Sequence, residues 1–334
     1  MVRQSDAMAD QEQTQRDPWA IMLDDPAIAE TGGEHSNEGT DFARYWAISR
    51  LLTLEEQGVP DYAFLFEYLQ DITLLDSPAA PTSASVYQIK KKERSPWKRS
   101  QLCSQKSTAA GKRSRTKDAL KGRSPLGKLY LCVEQVSAQV KKADGVFVSN
   151  SCCDLKSSKG GPIDQYCRVP LSSLDSADLD FIERRIAREL RRARPLPHIR
   201  SLDVEHTAVA PGGMRDMVQG MASGYLEKHQ PSLPPVPGRL VEKLFESFSN
   251  RSGRHHGMSR LSEIVEKKGF TRKHFTTVLS ELAKFRSAAT MLDAALEVKL
   301  PPILNVVPSG TSMEPLFNPP PASDSVPFRI STVL

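Results

Sequence analysis

Glu67 and Asp71 stand four residues apart in the stretch FEYLQDITLL, and Gln88 and Lys90 stand two apart in YQIKKK, one extended segment later. Residues two apart on a strand project from the same face, so Gln88 and Lys90 point the same way. Carboxylates beside a same-face polar-x-Lys pair have a specific use. Glu67 and Asp71, with the backbone carbonyl of Ile89, supply the oxygen ligands that a hard divalent cation such as Mg²⁺ takes, with Mn²⁺ as its substitute. The Lys90 ammonium orients an attacking water and steadies charge growing on a phosphoryl oxygen. Gln88 offers a carbonyl oxygen but no charge, so cation affinity rests on Asp71 and Glu67. The same residues also admit a plain reading, in which Glu67 and Lys90 form a surface ion pair and Gln88 is an edge-strand amide.

Several elements must position these groups. Phe42, Tyr45, Trp46, Ser49 and Leu52 recur at helical spacing over 41–57, and Gly58-Val59-Pro60 ends that helix. Residues 62–76 are apolar, aromatic and β-branched, which predicts two short strands with a turn near Leu69-Gln70. SVYQIKKK (85–92) continues as a strand. From Pro125 a helix places Leu126, Leu129, Tyr130, Val133, Val136 and Val140 on one face, and GVFVSN (145–150) predicts a buried strand. The order over 41–150 is α-β-β-β-α-β, one α/β domain with its last helix as a crossover.

That order and spacing resemble the PD-(D/E)XK nuclease superfamily, whose core places a metal-binding acid on the second strand and (E/Q)xK on the third. More narrowly, the chain resembles the double-stranded DNA endonuclease domain of anti-phage effectors of the CBASS and Lamassu type. The likeness is carried by FARYW (Phe42 to Trp46), Phe66-Glu67, Asp71-Ile72, Gln88-Ile89-Lys90, Trp97 and FVSN (Phe147 to Asn150), and more weakly by KKGFTRKHF (267–275). It departs from the superfamily's commoner Glu at position 88, while the effector family shares QxK. The resemblance implies a restriction-endonuclease-like α/β (α+β) domain with a mixed central sheet. It also implies a nuclease that cuts double-stranded DNA with little sequence specificity. Such a nuclease is held in check until partner subunits or homo-oligomerisation release it, the partner being an SMC-like ATPase in Lamassu-type systems.

Charge is distributed to match a polyanion partner. The 334 residues carry a net charge of only +5, yet residues 88–128 hold 14 Lys or Arg against Glu93 and Asp118, while residues 1–40 hold nine acids against Arg3 and Arg16. Lys91, Lys92, Arg94, Lys98 and Arg99 directly follow Lys90, and cations there would gather DNA phosphate where it is cut, without reading bases. A solvated basic loop over 93–124 is the other reading of the same run.

The remaining organisation is expected as follows. Residues 1–36 lack hydrophobic periodicity and read as a disordered acidic arm. The nuclease domain spans 37–165. An all-α C-terminal domain spans 166–300, for partner binding or oligomerisation, with helices at 179–190, 213–229, 238–249, 259–268 and 272–286. Residues 301–334 form an extended Pro-rich tail. No apolar run reaches the ~18 residues that span a bilayer, and the polar N-terminus is not a secretory signal. Five cysteines without CxxC spacing predict a reducing, cytoplasmic setting. GRSPLGKL (122–129) fits a phosphate loop except at Leu129, where Ser or Thr is needed, and no zinc-ligand spacing is present. Residues 258–285 hold two amphipathic segments joined at Lys268-Gly269. These read either as a helix-turn-helix DNA regulator with Arg272, Lys273 and His274 leading, or as a helix pair packed on its neighbours. A catalytically inactive interaction subunit, with Gln88 marking a lost site, is the third alternative.

Overall fold

A computed structural model describes residues 17–25, 28, 37–92, 95–104, 123–163, 168–207, 211–233, 236–253 and 258–284. Helix α1 is Pro18–Asp24 and α2 is Asn37–Glu56. Strands β1 (Ala63–Phe66), β2 (Ile72–Leu75) and β3 (Ser83–Lys90) form an antiparallel meander in which Phe66 faces Ile72 and Ile72 faces Tyr87. Helix α3 (Pro125–Ser137) then crosses over to β5 (Lys142–Ser149), which runs parallel to β3 from Ser83↔Lys142 to Lys90↔Ser149. Ser124 caps α3 by accepting the Gly127 N–H at 3.1 Å, and Pro125 opens it with a ring that needs no hydrogen-bond partner there. A Cβ at Gly127 would lie 2.7 Å from a Glu189 oxygen, so close helix packing explains that glycine better than phosphate binding does.

Between β3 and β5, β4 (Trp97–Lys98) pairs with β6 (Cys153–Asp154) in a separate two-stranded ribbon. The stretch expected to hold only helices supplies three further strands: β7 (Arg168–Pro170), β8 (Leu202–His206) and β9 (Gly269–Thr271). They complete a seven-stranded main sheet in the order β7-β8-β5-β3-β2-β1-β9. The all-α expectation is therefore corrected. These strands have three to five residues and sit between strong helical patterns, too short for alternation to announce them. The expected helices are present as α4 (Ser176–Leu190), α5 (Met214–His229), α6 (Pro237–Ser249), α7 (Leu261–Lys268) and α8 (residues 272–284). The described residues form a mixed α/β, restriction-endonuclease-like fold within one compact unit.

Alternation along the strands divides the core. Leu65, Val86 and Phe147 face α3 and α4 through Leu129, Val133, Ile182 and Ile186. Phe64, Phe66, Tyr87, Ile89, Val146 and Val148 face α2, α5 and α6 through Trp46, Leu52, Val218, Leu244 and Phe248. Trp46 Nε1 also donates to Glu205 on β8 at 3.0 Å, tying α2 across the sheet; burial raises that carboxyl above its usual range.

The acidic arm is corrected in part. Asp17 accepts the Trp19 N–H at 2.9 Å, Pro18 opens α1, and Trp19, Ala20 and Met22 are buried. Three anchoring residues in a seven-residue helix leave no periodicity to read. Residues 1–16, 26–27 and 29–36 of the arm, residues 93–94 and 105–122 of the basic loop, and the 301–334 tail lie outside the described residues. The joint at Lys268-Gly269 is a strand rather than a recognition turn. Gly269–Thr271 pairs with Ala63–Leu65, Phe275, Val278 and Leu282 of α8 enter the core, and Arg272 donates to Glu55 at 3.3 Å and to the Pro60 carbonyl at 3.0 Å. Any Cβ at Gly269 would run into the Val265 carbonyl oxygen, which is why the chain turns from α7 into β9 at a glycine. Among the described residues no helix is long and apolar enough to cross a membrane.

Candidate active site

The β1–β2 turn is held from inside the protein. Tyr68 donates its hydroxyl to the Trp19 carbonyl, and Gln70 Nε2 donates to the Ile28 and Leu69 carbonyls, each at 2.8 Å. With Tyr68, Leu69 and Gln70 drawn into the core, Asp71 emerges just before β2. Glu67 adopts φ +48°, a left-handed backbone that a side chain other than glycine rarely takes, and its N–H donates to the Asp71 carbonyl at 3.0 Å. Beneath this turn lies Lys268, only 1% exposed, donating to the carbonyls of Phe66 and Glu67 at 3.2 Å each and to that of Gly253. Burial pulls its ammonium down to about 8, against the opposing pull of the Glu67 charge. Hydrogen bonds to a charged donor are worth about 1.5–3 kcal/mol each, and several are needed to offset desolvating an ammonium.

The end of β3 brings three of the expected residues together. Asp71 Oδ2 accepts the Ile89 N–H at 2.6 Å and lies 3.4 Å from Lys90 Nζ. Continuing the β2–β3 register sets Asp71 opposite Gln88, on the face Gln88 shares with Lys90. Gln88 is 3% exposed and its Oε1 is buried with no hydrogen-bond partner among the described residues. A buried acceptor without a donor is costly, and a hard cation is one group that would satisfy it. β3 lies between β2 and β5, so Gln88 is not an edge-strand amide.

The Glu67 carboxylate goes elsewhere. It accepts the Gly253 N–H at 3.0 Å and lines a groove with Thr40, Asp41, Arg44, Ser249 and Ser252. Lys90 instead pairs with Asp71 at 3.4 Å, and no ion pair between Glu67 and Lys90 is found among the described residues. Among the described residues no group of three or more His, Cys, Asp or Glu gathers in a metal-holding arrangement. The oxygens that fit a divalent ion are those of Asp71 and Gln88, with the Ile89 carbonyl adjacent in sequence. This is a hard-donor set carrying a single negative charge.

The basic residues after Lys90 are placed unequally. Lys92 lies 4.6 Å from the centre of the Trp97 ring and donates to the Pro96 carbonyl at 2.7 Å and to Gln101 at 3.0 Å. Burial lowers its ammonium below the usual lysine range. Arg99 pairs with Asp178 at 2.8 Å. Lys98 is exposed and Lys91 half-buried, while Arg94 lies outside the described residues.

Two motif residues have roles that their types alone did not disclose. Asn150 clamps the backbone of Lys92, accepting its N–H at 2.8 Å and donating to its carbonyl at 2.9 Å, which fixes the chain just past Lys90. Ser149, level with Lys90 on the neighbouring strand, accepts the Trp97 Nε1–H at 2.8 Å. Their appearance in FVSN was the available signal. Lys268 had only its place in KKGFTRKHF as a signal, since a lysine ending a helix is ordinarily solvated.

No curated protein matches the chain. Residues 31–252, about two-thirds of the sequence, match the family described as Cap4, dsDNA endonuclease domain. The matched range contains α2, the β1–β3 meander, the crossover to β5, and the Asp71, Gln88 and Lys90 cluster at the end of β3. Motif, fold and family range thus coincide, and the chain belongs to the Cap4 dsDNA endonuclease domain family of anti-phage effector nucleases.

Proposed function

We propose that this chain is a divalent-metal-dependent endonuclease that hydrolyses duplex DNA in anti-phage defence. Asp71, the Gln88 side-chain oxygen and the Ile89 carbonyl would hold Mg²⁺ or Mn²⁺. The observation that carries this reading is the junction at Asp71: Oδ2 bonded to the Ile89 N–H at 2.6 Å, the Lys90 ammonium 3.4 Å away, and a buried Gln88 oxygen left without a donor. When bound, the ion supplies Lewis acidity toward the phosphoryl group. Lys90, half-exposed at the strand end, orients the attacking water and meets charge that develops on a phosphoryl oxygen. The Ile89 N–H and the Asn150 clamp keep Asp71 and the backbone after Lys90 fixed during that exchange.

The substrate class follows from the family and from the excess of cations after Lys90. Release from restraint by partner subunits or self-association, an SMC-like ATPase among the candidates, belongs to the same proposal. The test is incubation with supercoiled plasmid and Mg²⁺, alone and with the products of neighbouring genes. Relaxed and linear DNA should appear, and both a chelator and Asp71→Asn should abolish them. Cleavage that survives both treatments would remove Asp71 from the chemistry.

A further inference from the structure

We infer that helix α4 carries a second DNA contact, a strip of cations that takes the phosphate backbone of the duplex away from the cut. The inference rests on the proposed function for its choice of partner. A chain of cation–aromatic contacts runs from the site to the helix. Lys92 lies over Trp97, Lys98 follows Trp97 on β4, Arg99 stands 4.6 Å over the Phe181 ring, and Arg185 stands 5.4 Å from the same ring. Arg185 and Arg188, one turn further along α4, are both exposed.

The arginines of α4 and of the turn after it differ in how far they are neutralised. Arg184 and Arg194 both reach Asp180, Arg194 also reaches Glu183, and Arg192 reaches Glu134, so those cations are neutralised at home. Arg185 and Arg188 form no ion pair among the described residues. Stacking on Phe181 fixes the Arg185 guanidinium without cancelling its charge, whereas a carboxylate would do both. Exposed guanidiniums outside any ion pair among the described residues, one of them held over an aromatic ring, match a polyphosphate backbone rather than base edges.

The experiment measures binding of the full chain to a fluorescent duplex of about 20 base pairs across a salt series, without added metal. Removing one cation from a phosphate should flatten the slope of log K against log salt by about 0.9. Arg185→Glu with Arg188→Glu should raise Kd about tenfold or more at moderate salt and flatten the slope by nearly two, equally on unrelated sequences. Arg185→Gln with Arg188→Gln, which adds no negative charge, should flatten the slope to the same extent. Arg184→Gln with Arg194→Gln, which removes cations already held in ion pairs, should leave both quantities within about twofold. Unchanged slopes in the 185/188 variants, or equal losses in the 184/194 control, would overturn the inference. Because no cleavage is measured, a failure of the nuclease reading shows separately in the plasmid assay.

Discussion

Lys90 Nζ and Asp71 Oδ2 are 3.4 Å apart, longer than the ~2.7–2.9 Å of a tight charge-assisted bond. The pair is loose enough for either partner to be drawn to a new ligand, while the 2.6 Å bond from the Ile89 N–H keeps the carboxylate aimed. Gln88 is the residue whose chemistry is most open to test. Gln88→Glu would set a second carboxylate beside Asp71 in a position only 3% exposed, where an unpaired charge is costly. The variant should melt lower than the wild type without metal, recover on adding Mg²⁺, and cleave at several-fold lower Mg²⁺. Equal melting curves with and without metal would deny that this side chain faces a cation. Asp71, Gln88 and Lys90 could be read as a group from sequence because a two-residue spacing on a strand fixes a face. The direction of the Glu67 side chain could not, because the left-handed turn at its Cα rotates it toward Gly253.

At the scale of elements, the segment beyond the family range completes the site's support. Lys268 ends α7 under the Glu67 turn, β9 closes the sheet beside β1, and α8 is anchored where the Thr271 N–H donates to His274 Nδ1 at 3.0 Å. Burial, with Arg251 and Lys273 nearby, holds the His274 imidazole below its usual range. The folded state thus resists a proton that the unfolded chain accepts near pH ~6.5. Stability contributed here is complete above that pH and is lost as pH falls from it toward the depressed folded value. Wild-type Tm should therefore fall more between about pH 7.5 and 5.5 than that of His274→Gln, which keeps an acceptor for the Thr271 N–H without titrating. Parallel Tm profiles would show that the histidine is not sensing pH. The β1–β3 meander, α3 and β5 were legible because apolar runs, Pro125 and the parallel crossover all point to one arrangement. β7, β8 and β9 were not, because strands this short are specified by the edges they join rather than by their own pattern.

For the whole molecule, the sheet brings Asp71, Gln88 and Lys90 together at the end of β3, and Lys92, Lys98 and Arg99 follow that point along the chain. The excess of cations after Lys90 was visible in composition, but the neutralisation of Arg99 by Asp178 and of Arg192 by Glu134 was not, since these partners are 79 and 58 residues away. The family match and the geometry meet at Asp71. Titration of the full chain with Mn²⁺, followed by calorimetry or spin resonance, examines that meeting point without requiring an activated nuclease. One ion per chain should bind at Asp71, binding should vanish in Asp71→Asn, and Lys90→Ala should bind as tightly or more tightly because the competing ammonium is gone. A wild-type chain that takes up no ion, or an Asp71→Asn chain that binds it unchanged, would contradict the metal-dependent site proposed at the end of β3.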